Sequence, residues 1–356
     1  MQRSKFTWLN QRIAKSASNS GSTMHSSVSV PLLFPHLLAD RKGNFSALRL
    51  DFGPGSPDLL ISVAESEEFL AIVAEFPCLY RDDTLQLLAP TLAAAFAQAG
   101  CRPLVPERVG RCDDQLGKQF AADIEWVDGD WYLVPPAKPS SSQSASRALA
   151  LQLVQLVAAD ADTHQLEAVF RRDPTLSYHL LRLVNSLAVG VGRRITSFSQ
   201  AIVILGRQQL RRWLNLMLFS ARDGDPRSGM LLARVAVRAR TMELLARGCG
   251  LDKSEQEQAF MAGMFSMLGV LFGLPIEEVL RPLTISDATR AAVLAREGEI
   301  GGLLGVLESA ERKDFVSLGR ALEAIQIAPA DFNLSAIEAF GWMLSVVRDS
   351  QGRADA

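Results

Sequence analysis

A run of prolines and serines most constrains how this chain can fold. Pro135-Pro136-Ala137-Lys138-Pro139 leads directly into Ser140-Ser141-Ser142-Gln143-Ser144. Proline stiffens the backbone and the serine run brings no apolar surface, so a single core is not expected to continue through this stretch. The two sides also differ in texture. Before the run, Phe45–Phe52 (FSALRLDF) alternates like a strand and stops at the turn Gly53-Pro54-Gly55. Residues 59–63, 103–109 and 131–134 are further strand candidates, and 84–99 has helical spacing that ends at Gly100. After the run, helices are expected over 146–158 and 230–246, then over 287–296, 302–309, 314–325 and 334–348. A capping box starting at Ser254 is expected to open one more.

The expected fold class is therefore α+β overall. A basic disordered tail (1–39) precedes a small N-terminal α/β domain (40–139), a linker (140–146) and a larger all-α domain (147–350). With 48% hydrophobic and 21% charged residues the chain can bury a sizeable core, which excludes wholesale disorder. Cys78, Cys101, Cys112 and Cys249 form no CxxC pair and read as reduced, buried thiols. Residues 259–276 carry no charge, but Gly273 and Pro275 should end that helix, and acids flank it where a membrane edge favours Lys and Arg. A buried helix in a cytoplasmic protein is expected, with no membrane partner.

Within the helical half, one stretch resembles a known family. Residues 167–186, containing Asp173-Pro174 and Asn185-Ser186, look like the opening of an HDOD domain. So does residues 195–206, which end in Ala-Ile-Val-Ile-Leu-Gly206. Each element also has a structural purpose: Asp173-Pro174 suits a helix start, and Gly206 suits a tight bend. HDOD domains are helical relatives of HD phosphohydrolases, which hold divalent metal with a helical His, a His-Asp pair and a distant Asp. The resemblance puts Ser266 where the paired His would be, Met267 where the Asp would be, and Arg234 near the first His. Neither Met nor Arg is a useful ligand for a hard ion. The resemblance thus implies no metal, no cofactor and no catalytic residue. A fainter resemblance links 106–109 and 126–139 to the end of an EAL domain, the fold that hydrolyses cyclic di-GMP. It implies a truncated, degenerate remnant, since Gly110 stands at a glutamate position.

Net charge is −2, which conceals a strong segregation. Residues 171–247 hold 14 Arg and no Lys against 4 acids. Arg193, Arg194, Arg211, Arg212, Arg234 and Arg238 are the candidate contacts for an anionic ligand or partner, with a nucleotide or phosphate as the ligand class. Arg234 and Arg238 are one helical turn apart and share a face. No nucleic-acid motif accompanies these arginines, so a nucleic-acid partner is not expected. The resulting expectation is a non-catalytic bacterial signalling protein. It would act by binding through its HDOD domain, to protein partners in a pathway near cyclic di-GMP. The alternative is a divergent HD-type metal-dependent phosphohydrolase.

Overall fold

A computed structural model describes residues 31–351 apart from 54–57, 82–89, 115, 117–119, 136–151, 154, 157–158, 160, 171–211, 213–214, 217–218, 220–225 and 284. Two hairpin strands start the chain, β1 (Leu33–Ala39) and β2 (Phe45–Phe52). They pair antiparallel, with His36 opposite Arg49 and Phe34 opposite Asp51. Asp40 closes the turn between them by accepting the backbone N–H groups of Lys42 (2.8 Å) and Asn44 (2.9 Å).

Helices α1 (Asp58–Ala64) and α2 (Glu67–Glu75) then cross to β3 (Cys78–Tyr80), which lies parallel to β2. Ser66 caps α2 by accepting from the Phe69 N–H. Helix α3 (Pro90–Gln98) leads to β4 (Arg102–Pro103), and β5 (Val109–Arg111) and β6 (Trp126–Asp128) complete the sheet in the order β4-β3-β2-β1-β6-β5.

The sheet corrects several expectations. All seven residues of β1 are buried, inside the segment expected to be a disordered tail. Residues 59–63 lie in helix α1, because a short apolar run fits either period. The aromatic residues of 131–134 form a 3-10 turn, Trp131–Leu133, and the strand lies just before it in β6. Residues 103–109 divide between the end of β4, a 3-10 turn at Pro106–Arg108 and the start of β5.

The helical part contains α4 (Thr163–Phe170), α5 (Ser228–Gly248), α6 (Lys253–Phe265), α7 (Leu268–Phe272), α8 (Ile276–Leu280), α9 (Asp287–Ala295), α10 (Gly298–Glu311), α11 (Phe315–Ala324) and α12 (Pro329–Gln351). Asp252, not Ser254, forms the capping box of α6: it accepts from the Glu255 N–H, and Glu255 accepts from the Asp252 N–H. Helix α5 is the central element, packed against α6, α10 and α12. A Cβ on Gly263 would lie 2.8 Å from the Ala239 Cα, so glycine is what lets α6 cross α5 this closely.

The uncharged stretch is largely buried up to Phe272, but it divides between the end of α6 and α7 instead of forming one helix. Helix α7 ends at Gly273 (φ +65°), where Gly273, Leu274 and Pro275 are exposed. Among the described residues no helix is long and apolar enough to cross a membrane. Cys78, Cys101 and Cys112 are buried, whereas Cys249 is exposed, which corrects that part of the reading.

The sheet docks on the helices. Phe34 stacks with Phe332 and meets Phe340 edge-on, both from α12. Asn333 accepts the Leu33 N–H at 2.8 Å and donates to the Pro31 carbonyl at 2.9 Å. The loop between α10 and α11 reaches the end of β2, where Phe315 packs against Gly53.

Candidate functional site

Alternation along β2 puts Arg49 and Asp51 on one face. There Arg49 donates from Nε and Nη2 to Asp51, at 2.8 Å for the closest pair, and from Nη1 to Asp128 on β6. Lys313, in the loop after α10, lies 3.8 Å from Asp51. His36 Nε2 is 3.5 Å from the same carboxylate but has no hydrogen-bond partner. Burial lowers the His36 pKa well below the usual histidine value, and the cations Lys313, Arg49 and Arg234 push it further. Burial works against the charge on Asp128, yet Arg49 and Lys313 overcome it and hold the carboxyl below its ordinary range.

A second ionic cluster lies on α5, whose first turns carry Arg234 and Arg238. Their spacing does bring the two together, on a shared carboxylate. Arg238 grips Glu311, the last residue of α10, with Nε at 2.9 Å from Oε1 and Nη2 on Oε2. Arg234 reaches the same Oε2 with Nη2 at 3.2 Å, and its Nε has no hydrogen-bond partner. Arg238 Nη1 donates to Ser266 Oγ at 2.7 Å, and Ser266 in turn donates to the Gly263 carbonyl at 2.7 Å. Burial opposes ionisation of Glu311, but Arg234 and Arg238 hold its pKa below the ordinary value. Tyr132, from the aromatic turn after β6, is close enough to feel all three charges.

Arg212 is engaged elsewhere. It binds Glu243 at 2.8 Å and Glu257 at 2.6 Å through Nε, with its guanidinium 4.4 Å above the Phe260 ring. It is an internal tie rather than an open anion contact. Arg193, Arg194 and Arg211 lie outside the described residues, as do Asp173, Pro174, Asn185, Ser186 and Gly206. Sequence reasoning missed Glu311, His36, Arg49, Asp51, Asp128 and Lys313. One signal was available: Arg49 and Asp51 are two charges at i, i+2 in a strand, which forces them onto one face.

The donor set does not fit the divalent metal of an HD hydrolase. Met267 is buried in the core, and Ser266 receives a guanidinium where a metal ion would need an anionic or imidazole ligand. Among the described residues no group of three His, Cys, Asp or Glu could hold a metal ion.

The described chain is thus a helical domain, with Arg234 and Arg238 on its central helix, docked on a small sheet. Residues 145–297 match the HDOD domain family, so the chain carries an HDOD domain. Two curated relatives are similar to it. The cyclic di-GMP phosphodiesterase CdgJ of Vibrio cholerae is 29% identical over 253 residues, which is 71% of this chain and 58% of that protein. The uncharacterised Bacillus subtilis protein YuxH is 28% identical over 146 residues, 40% of this chain and 35% of that one. The chain thus spans less than two thirds of either relative.

The CdgJ alignment is longer than the stretch from residue 145 to the C-terminus, so it extends N-terminal to the HDOD domain. A solved Shewanella amazonensis phosphohydrolase candidate, 15% identical, covers 57% of this chain and 93% of that one at a TM-score of 0.37. The likeness to CdgJ overturns the expectation of a chain without enzymatic activity, which had rested on Ser266 and Met267.

Proposed function

We propose that the chain acts in cyclic di-GMP signalling as a divergent phosphodiesterase. The observation that carries this reading is the alignment, over 71% of the chain, with a relative named for that activity. Hydrolysis adds water to one phosphorus of the ring and releases one ribose oxygen, giving a linear dinucleotide with a terminal phosphate. The HD metal set has no part in this at Ser266 and Met267. The guanidiniums of Arg234 and Arg238 would neutralise and orient a phosphate oxygen instead. Under this reading the N-terminal sheet is a trimmed EAL-like remnant, and the chain works in the cytoplasm with a protein partner in the same pathway.

The test is direct. Purified full-length chain is incubated with cyclic di-GMP and magnesium or manganese, and the products are separated by chromatography. Linear dinucleotide should accumulate in proportion to protein. No turnover above the protein-free control with either metal would sink the proposal.

A further inference from the structure

We propose that Arg234 and Arg238 form a buried binding site for a phosphoryl oxyanion where the helical domain meets the sheet. The argument begins with charge. Two guanidiniums share the single carboxylate of Glu311. The arginine side chains are each 9% exposed and Glu311 is 3% exposed, so in a desolvated place the two guanidiniums outnumber the carboxylate they bind. Glu308 acts on Arg238 only from a distance and is itself paired with Arg296. An uncompensated buried charge is among the most destabilising features a fold can carry, and proteins keep one where an opposite charge will arrive.

The donors give the same answer. Arg238 is committed, with Nε and Nη2 on Glu311 and Nη1 on Ser266. Arg234 is not. It touches one oxygen of Glu311 with Nη2, and its buried Nε has no partner. The Nε edge of a guanidinium is a planar fork that suits two oxygens of a phosphoryl group.

The surroundings add to this. His36 lies within electrostatic reach of Arg234, Arg49 and Lys313, and its own Nε2 is unpartnered and buried. Asp51 and Asp128 do not cancel the excess, because Arg49 already engages both. Ser266 is only partly buried, so the cluster reaches towards solvent beside the Arg238 Nη1.

This inference deepens the phosphodiesterase reading, but it is measured by binding alone. A chain that binds an oxyanion and hydrolyses nothing would sink the activity and leave the site standing. The experiment is a titration of full-length wild type, followed by thermal midpoint and by 31P line broadening, with inorganic phosphate in one arm and cyclic di-GMP in the other. Wild type should be stabilised in one arm or both. Arg234→Gln should weaken that binding at least about tenfold, the worth of a charged hydrogen bond. Arg240→Gln, which removes a guanidinium paired to Glu243 and Glu338, should not change it.

Response to phosphate alone would assign the site to the free ion. Response to the dinucleotide, with phosphate competing, would assign it to the nucleotide's phosphate. If Arg234→Gln fails to fold, Arg234→Lys keeps the charge while removing the fork and should show the same loss. The proposal is overturned if wild type responds to neither ligand, if chloride stabilises equally at matched ionic strength, or if the Arg234 variants bind like wild type.

Discussion

On the sheet, Arg49 stands between two carboxylates, Asp51 and Asp128; on α5, Glu311 stands between two guanidiniums, Arg234 and Arg238. The groups are the same and the ratio is reversed. The sheet cluster gains its missing cation from Lys313, so its charges balance. Among the described residues the α5 guanidiniums bind no second carboxylate: Glu308 acts on Arg238 only from a distance and is itself gripped by Arg296, and Arg234 keeps an unpaired Nε. A balanced buried network holds parts of a fold together. An unbalanced one of the same composition is poised to accept a ligand.

Breaking the minority partner of each cluster tests this contrast at its strongest. Glu311→Gln removes the one carboxylate serving two buried cations and should destabilise the fold by about 3–5 kcal/mol, read by urea denaturation. Arg49→Ala should have a smaller effect, about 2–3 kcal/mol, because Lys313 and Arg111 remain near the carboxylates it leaves. Equal losses in the two variants would mean that the balance of charge does not distinguish the clusters.

The two clusters also differ in how far the sequence disclosed them. Helix α5 was legible because its run of helix-favouring residues and the Arg234–Arg238 spacing, one helical turn, are local. The carboxylate they share was not. Glu311 comes from α10, and only the tertiary packing of α10 on α5 brings it there. β1 was hidden for a related reason. It is buried on both faces and so lacks alternation, and Pro35 in its middle argues against a strand. The change of texture was legible because apolar spacing acts locally; the expected linker, 140–146, lies outside the described residues. What remained hidden was pairing between distant segments, including the sheet order that places Asp128 beside Arg49.

His36 lies between the clusters and titrates in a measurable window. Its folded pKa is depressed, so the unfolded chain takes up the proton first as pH falls. Its contribution to stability is therefore complete above the ordinary histidine value of 6.5 and is lost progressively below it. Unfolding free energy should fall by about 1.4 kcal/mol per pH unit just below that value, and His36→Gln should remove that part of the slope. The depressed pKa of Asp128 and of Glu311 adds a separate loss only at more acidic pH, as each carboxylate protonates. An unchanged slope in His36→Gln would mean that burial and the neighbouring cations do not depress the folded-state histidine.

The smallest effect separates the clusters most clearly. Arg234→Gln deletes a buried guanidinium that holds one ionic contact, while Arg238 keeps its two-pronged grip on Glu311. The variant loses that contact but no longer desolvates a surplus charge, and these terms oppose each other. Stability in a phosphate-free buffer should therefore shift by no more than about 1 kcal/mol in either direction, checked by the same urea titration. Removing a buried arginine from a balanced network should not be this mild, and the Arg49 variant provides that reference. A loss from Arg234→Gln as large as from Arg49→Ala would show that Arg234 is a structural tie. A near-neutral result would leave a buried cation that the fold does not need, and its retention would then require a ligand to explain it.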